Sequence, residues 1–225
     1  APSHARRWAL IGTGAGTTAR LVARIFDQAS IDGIELDPLV VEQGRRFFGP
    51  PLDAYRVTVQ DGRAWLLLNH DTYDVIGVDA YRQPYIPFEL ATVECFRSIR
   101  QHLASNGVAA INVVHLPNDN RLASALAATL RAVFPSVYVL HLGQRHNTSI
   151  LVATCQPTTL DDFRRNLAQA EGLLQILGAK AEKMVLDDLP AGQVLTDDRA
   201  PVEQVMDQML FRYALQGAGK KNRMP

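Results

Sequence analysis

Ala9-Leu10-Ile11-Gly12-Thr13-Gly14-Ala15-Gly16-Thr17-Thr18 carries an apolar run into three alternating glycines and then into a helical pattern. Nineteen residues beyond Gly16 stands Glu35, in Ile34-Glu35-Leu36-Asp37-Pro38, at the end of a second apolar run. The two stretches read as strand, tight turn, helix, strand and carboxylate. Glycines let backbone approach a ligand closely, and a helix start presents unpaired N–H groups. A carboxylate ending the second strand accepts hydrogen bonds from two ribose hydroxyls. The expected ligand is the ribose and adenine side of an adenosine compound. Gly12, Gly14, Gly16, Glu35 and Leu36 are its expected contacts.

Outward from that start, strand and helix signals alternate. Trp8–Gly12, Ile31–Leu36, Tyr55–Gln60, Tyr73–Asp79 and Val108–Val114 read as strands. Between them, helices are expected over Thr17–Phe26, Leu39–Phe48 with Pro38 in its first turn, Asp61–Leu68 and Pro87–Leu103. In the last of these, Leu90, Val93, Phe96, Ile99 and Leu103 recur at spacings of three and four. A helix over Asn118–Phe134 follows, carrying Leu122, Leu126 and Leu130. Val137–Leu142 and Ser149–Thr154 then come as two strands with no helix between them, which is a hairpin. Leu160–Leu177 and a short Val202–Tyr213 complete the helices. Parallel neighbours need a crossover, so the hairpin adds antiparallel pairing at the end of the sheet. The expected fold is α/β, a doubly wound, mostly parallel seven-stranded sheet ending in an antiparallel hairpin. Residues 1–180 are expected to form this domain, with 181–225 a tail whose short helix packs on it.

Composition is consistent with that size. The chain has 225 residues, 47% hydrophobic and 20% charged, with 23 basic against 23 acidic side chains. A balanced charge gives no basic face and argues against a nucleic-acid partner. The basic cluster Lys220-Lys221-Asn222-Arg223 reads as a solvated end. Cys95 and Cys155 are too few for a disulfide framework and read as small core residues. No run reaches the ~18 apolar residues of a membrane span. Residues Ala1–Arg7 lack the apolar core of a secretion signal, so a cytoplasmic location is expected. The first strand begins almost at once, as in a segment of a longer chain. No histidine, cysteine and carboxylate spacing matches a metal site.

Glu35, Asp61 and Asp79 end the second, third and fourth strands. Ligands of open α/β sheets sit outside the carboxyl ends of the strands, so the three are expected to point into one crevice. Three carboxylates there would repel a pyrophosphate and suit a cationic ligand rich in donors, such as a sulfonium nucleoside. His115 is expected to face the same edge, and His141 and His146 to flank the hairpin far from it. Asp197, Asp198 and Glu203 surround Pro201, and helix capping explains them as well as substrate binding does.

The strand order resembles the class I S-adenosylmethionine-dependent methyltransferase fold, in which the seventh strand is reversed. The Gly-x-Gly-x-Gly turn, Ile34–Pro38, Asp61-Gly62-Arg63-Ala64 and Tyr73-Asp74-Val75-Ile76-Gly77-Val78-Asp79 resemble the polyamine aminopropyltransferases, the spermidine and spermine synthases. Leu90-x-Thr92-x-Glu94-x-Phe96 resembles the same group, and the likeness runs from Ala9 to about Val114. Leu195-Thr-Asp-Asp-Arg-Ala-Pro-Val-Glu203 resembles the tail of spermidine-synthase-like proteins, including ones fused to membrane segments.

The resemblance implies an aminopropyl (alkyl) transferase using decarboxylated S-adenosylmethionine, or S-adenosylmethionine itself, on a small-molecule amine. Glu35 would hold the ribose, Asp61 the adenine amino group with Gly62 admitting the base, and Asp79 would be the catalytic carboxylate. Tyr81 and Tyr85 would line the substrate side, Tyr81 as a second catalytic residue. Two departures stand out: Arg82 replaces the family's second loop aspartate, and Ala15 replaces a glycine-loop aspartate. The family's amino-terminal β-rich domain is also missing from this sequence. The rival readings are a small-molecule methyltransferase and a nucleoside-binding domain without turnover. A homodimer is a further expectation, through apolar surface left uncovered.

Overall fold

Apolar runs bounded by glycine, proline and carboxylate turns become strands, and amphipathic stretches become helices laid across both faces. The computed structural model describes residues 5–49, 53–81, 84–142, 147–186 and 189–221, with side chains through residue 215. Its strands are β1 (Arg7–Ile11), β2 (Ser30–Glu35), β3 (Tyr55–Val59), β4 (Tyr73–Val78), β5 (Leu103–Val114), β6 (Ser136–His141) and β7 (Thr148–Thr154). They form one sheet in the order β3-β2-β1-β4-β5-β7-β6. The first five strands are parallel, and β7 runs antiparallel to both β5 and β6. This is the expected mostly parallel seven-stranded sheet with its closing hairpin.

The helices are α1 (Thr17–Ile25), α2 (Pro38–Phe48), α3 (Gly62–Leu68), α4 (Val93–Gln101), α5 (Arg121–Arg131), α6 (Leu160–Leu167), α7 (Gly172–Glu182) and α8 (Val202–Lys221). The larger apolar cluster joins Ile76, Phe96, Ile99 and Leu126 with Met206 and Met209 of α8. The smaller one gathers Trp8, Leu10, Ala19, Val22 and Ile31 under α1. Emptying a site such as Phe96 would cost ~3–5 kcal/mol, because a close-packed core relaxes only partly around a cavity.

Four helix boundaries differ from the periodicity reading, each for a local reason. The span 87–103 is not one helix. A 3-10 turn at Phe88–Leu90 precedes α4, and extended Thr92 (φ −101°, ψ 159°) caps α4 by accepting from Cys95 N at 3.3 Å. Leu103 leaves the helix to pair with Tyr73 in the sheet. The helix expected from Asn118 starts at Arg121, because Asn118 has φ +63° and Leu116 and Asp119 close a tight turn. The span 160–177 splits into α6 and α7, with Gly172 at φ +57° beginning the second. Finally, α8 runs to Lys221, well past Tyr213.

β1 lies between β2 and β4, so the chain leaves it in one direction and returns on the other side. That reversal of strand order opens a crevice at the carboxyl ends of β1 and β4.

Candidate active site

Register aligns Ile11 of β1 with Ile34 of β2 and Val78 of β4. The residues just beyond them, Gly12, Glu35 and Asp79, therefore emerge side by side. Gly12 N donates to Ile34 O at 2.8 Å, and Asp79 N donates to Ile11 O at 2.8 Å. Gly12 has φ +82°, and a Cβ there would sit 2.5 Å from Asp79 O and 2.7 Å from Ala80 Cα. Two backbones meet at that point, and only glycine fits. Gly14 and Gly16 also take positive φ, +52° and +81°, which lets the chain wrap before α1 begins.

Glu35 is tied into this turn. Its Oε2 accepts from Gly14 N at 2.8 Å and its Oε1 from Asp37 N at 3.2 Å. An ionised carboxylate has about four acceptor positions, so two remain for incoming hydroxyls. Leu36 follows, about half exposed at the crevice edge.

Asp61 caps α3, its Oδ1 accepting from Ala64 N at 2.9 Å. Gly62 presses on Ile11, and a Cβ there would overlap the Ile11 side chain. Thus Glu35 through Gly14, Asp61 through Gly62, and Asp79 through Gly12 are all tied to the end of β1 and its turn. The residues that bear the three strand-end carboxylates thus come together around the end of β1, with the Asp79 carboxylate itself turned to β5.

Asp79 is oriented by a residue that the sequence reading passed over. Asn112 of β5 donates from Nδ2 to Asp79 Oδ1 at 2.7 Å. The signal for it was an amide inside the otherwise apolar run Val108–Val114. Tyr81, two residues on, donates to Asn112 O at 3.0 Å and accepts from Val114 N at 2.9 Å. Burial pushes its hydroxyl well above the ordinary phenol range; the Val114 bond opposes this and the Asp79 charge adds to it. Tyr81 therefore stays neutral and pins the β4 loop to β5. Tyr85 reaches the other way, donating to Asp207 Oδ1 of α8 at 2.6 Å. Arg82 lies outside the described residues, and so does His146.

Asp197 is not explained by capping. Arg63 grips it with two bonds, Nη1 to Oδ1 at 3.2 Å and Nη2 to Oδ2 at 2.7 Å. Thr92 Oγ1 donates to the same Oδ1 at 2.6 Å, and Asp197 N donates to Glu94 Oε2 at 3.0 Å. Arg63 directly follows Asp61-Gly62, so this latch holds the tail to the helix that carries Asp61. It also turns the Arg63 cation onto Asp197.

The histidine expectations need correction. Val114 pairs with Thr148, and Ser149 pairs with His141, so the hairpin turn lies at the carboxyl end of β5, not far from that edge. His115 is 2% exposed, its ring 4.1 Å from that of His141, with Nδ1 3.2 Å from Ser149 Oγ. Burial, and then the neighbouring His141, lowers its basicity. It is a packed histidine. Among the described residues, no group of three or more potential ligands could hold a metal. No helix there is long and apolar enough to cross a membrane.

Sheet order, reversed last strand and glycine turn define an α/β fold of the class I methyltransferase type. Residues 2–159 match the family described as the spermine/spermidine synthase domain, and the chain belongs to that family. It is 30% identical over 213 residues to a probable polyamine aminopropyl transferase of Bifidobacterium longum, covering 86% of this chain and 47% of that protein. The chain spans about half the length of the curated relatives it matches. A spermidine synthase solved with the transition state analogue AdoDATO shares the fold at TM-score 0.67 and 19% identity, over 79% of this chain and 66% of that one. Human methyltransferase-like protein 13, solved with SAH, shares it at 0.62 and 24%, over 80% and 81%.

Proposed function

We propose that the chain transfers an aminopropyl group from decarboxylated S-adenosylmethionine to a small-molecule amine. The observation that carries this is Asp79: a strand-end residue whose backbone packs on Gly12 and whose carboxylate accepts from Asn112 at 2.7 Å, in a member of the spermine/spermidine synthase family. The neighbours solved with SAH and AdoDATO support a ligand related to S-adenosylmethionine.

In this reading Glu35 takes the ribose hydroxyls on its two remaining acceptor positions. Asp61 takes the adenine amino group beside Gly62, and Gly12, Gly14, Gly16 and Leu36 shape the wall. The acceptor nitrogen attacks the carbon attached to the sulfonium. A C–N bond forms as the C–S bond breaks, its electron pair goes to sulfur, and neutral methylthioadenosine leaves. The nitrogen must arrive unprotonated, and Asp79 orients it and receives its proton. The leaving group needs no acid, so most of the remaining acceleration is alignment. Tyr81 serves the site by fixing the loop after Asp79, and Tyr85 lines the acceptor side.

Residues 1–180 are the methyltransferase-like domain in this reading, with 181–225 as its tail. Burial of Leu195, Val202, Met206 and Met209 in the same apolar cluster as the sheet supports packing of that tail on the domain. Exposed Phe47 and Phe48 on α2 and Val59 on edge strand β3 support a homodimer, which light scattering in solution would test.

Calorimetric titration with decarboxylated S-adenosylmethionine, S-adenosylmethionine and methylthioadenosine, followed by product analysis on an amine panel, tests the function. Preference for the decarboxylated form with aminopropylated product is the expected result. A preference for S-adenosylmethionine with methylated product would establish methyl transfer instead. That second reading is favoured by the 28% identity over 141 residues to the mouse eEF1A lysine and N-terminal methyltransferase. Binding without any product would leave a nucleoside-binding domain.

A further inference from the structure

The two edges of the sheet are finished differently. Along β6 the chain covers its own edge: Val185 bridges Leu140, His141 N donates to Met184 O at 2.8 Å, and Leu186 N donates to Val139 O at 2.8 Å. Along β3 no described residue pairs with the outer side. Ile31 N donates to Ala54 O and Gln60 N to Glu35 O, so the even-numbered residues of this stretch turn their backbone groups to β2. Bonding alternates along a strand, and Tyr55, Val57 and Val59 therefore turn their N–H and C=O outward. A bare edge of this kind is a template for another strand.

Apolar side chains border that edge on both faces. α2 packs over β2 and β3 and buries Val41 and Gly44. At about 100° per residue, Arg45 lies roughly 70° to one side of their mean direction, and Val40 and Phe47 roughly 70–90° to the other. Arg45 lines a small cavity with Ala15 and Arg20, so its flank faces α1. The opposite flank, Val40, Gln43 and Phe47, faces outward past β3 and carries no charge. Tyr55 and Val57 line the same cavity, so Val59, two residues on, shares the face of α2. Phe47 is 70% exposed and Val59 49%. On the other face, Arg63 of α3 turns to Thr92 and Asp197, and Leu68, on the opposite flank of α3, is 71% exposed.

We propose that this strip joins two copies of the chain, with β3 pairing antiparallel to the partner's β3 so that one sheet runs through both. This deepens the homodimer reading above and does not depend on the transfer chemistry. With the two-fold axis at Val57, Val57 pairs with the partner's Val57 and Tyr55 with the partner's Val59, which uses all three outward residues. Arg56 stands opposite the partner's Thr58, so no like charges face each other, and Asp32 lies 3.6 Å from Arg56 within its own chain. The axis is perpendicular to the sheet, so α2 meets the partner's α2. Helices centred between β2 and β3 then lie about 10 Å apart, two strand spacings, which is an ordinary helix packing distance. Phe47 of each copy reaches Val40 of the other. The strip is about 17 Å long and about 30 Å deep across sheet and helix layers, burying roughly 1,000 Å² in total, the lower end for a specific interface. A dissociation constant on the order of micromolar is expected from that size.

The test is sedimentation of the full chain from about 1 to 200 μM, with amide hydrogen exchange at both ends of that range. Reversible dimers are expected, with exchange at Tyr55, Val57 and Val59 slowing about tenfold or more as they form, while Arg56 and Thr58 are slow throughout. Phe47→Glu should weaken the dimer about tenfold or more with the circular dichroism spectrum unchanged. Ile176→Glu, on α7 and equally open at 56% exposure, should leave it intact. A chain that stays monomeric throughout overturns both this contact and the homodimer. A dimer that survives Phe47→Glu, that is lost with Ile176→Glu, or whose Tyr55, Val57 and Val59 amides still exchange freely overturns the edge contact and leaves the homodimer standing.

Discussion

On the β1–β2 side of the crevice, the bonds that shape the site join residues 2 to 21 apart in the chain: Glu35 with Gly14 and Asp37, and Asp61 with Ala64. On the tail side they join residues 103 to 134 apart: Asp197 with Arg63, Thr92 and Glu94, and Asp207 with Tyr85. The first side is made of backbone, with positive-φ glycines and helix starts. The second is made of charged and hydroxyl side chains that meet only when the tail docks. A site half of which is local backbone is formed as soon as β1, β2 and β4 pair. Its other half depends on the last thirty or so residues of the chain finding their place, at an ordering cost that the buried methionines of α8 offset.

The contrast can be broken from either side. The largest expected effect is on chemistry. Asp79→Asn should lower kcat by roughly 10²–10⁴ while nucleoside affinity changes less than about threefold. Full turnover in steady-state kinetics would remove Asp79 from the proton's path.

Next in size is backbone geometry. Gly12→Ala forces a side chain at φ +82° into Asp79 and Ala80, and should cost ~3 kcal/mol or more in urea unfolding. Gly14→Ala meets nothing within 4 Å and should cost only ~1 kcal/mol, from its positive φ. Equal costs would show that close approach to β4 is not what Gly12 provides.

Glu35→Gln keeps the shape and removes the charge. It should weaken nucleoside binding by roughly 10-fold or more, read by calorimetry, with a stability loss of about 1 kcal/mol.

The smallest effects belong to the tail latch. Asp197→Asn should leave nucleoside affinity within about twofold and raise hydrogen exchange in α8. An equal rise in β1 and β2 would mean that the two sides are one cooperative unit. Burial raises the Asp197 carboxyl, but the Arg63 and Thr92 bonds outweigh it and hold it below its ordinary value. A carboxyl lowered on folding stabilises above its unfolded value and loses that contribution as pH falls through the folded one. The protection of α8 should therefore fade below about pH 4 in the parent chain, and the Asn variant should lack that acid step.

The same division governed what could be read in advance. Period-two and period-four patterns gave seven strands and their order of type, because a half-buried strand and an amphipathic helix carry their burial in their spacing. Thr92 shows where that fails. The helical spacing of Leu90, Val93 and Phe96 runs straight through it, yet its hydroxyl donates to Asp197 and accepts from Cys95 N, so the helix starts afresh there. Asn112 and Arg63 were equally silent, since nothing in their neighbourhoods names Asp79 or Asp197 as partner.

By itself, the sequence determined the glycine turn, the carboxylates at the ends of three successive strands, and the hairpin that reverses the last strand. Each follows from steric freedom at glycine or from the period of apolar residues, which act over a few positions of chain. Only the tertiary structure decided that Asn112 bonds Asp79, that Asp197 latches the tail to α3, and that the β6–β7 turn lies at the carboxyl edge of β5. Those outcomes depend on side chains more than thirty residues apart arriving together. Hydrogen-bond geometry and close packing settle that in three dimensions, and no local pattern records it.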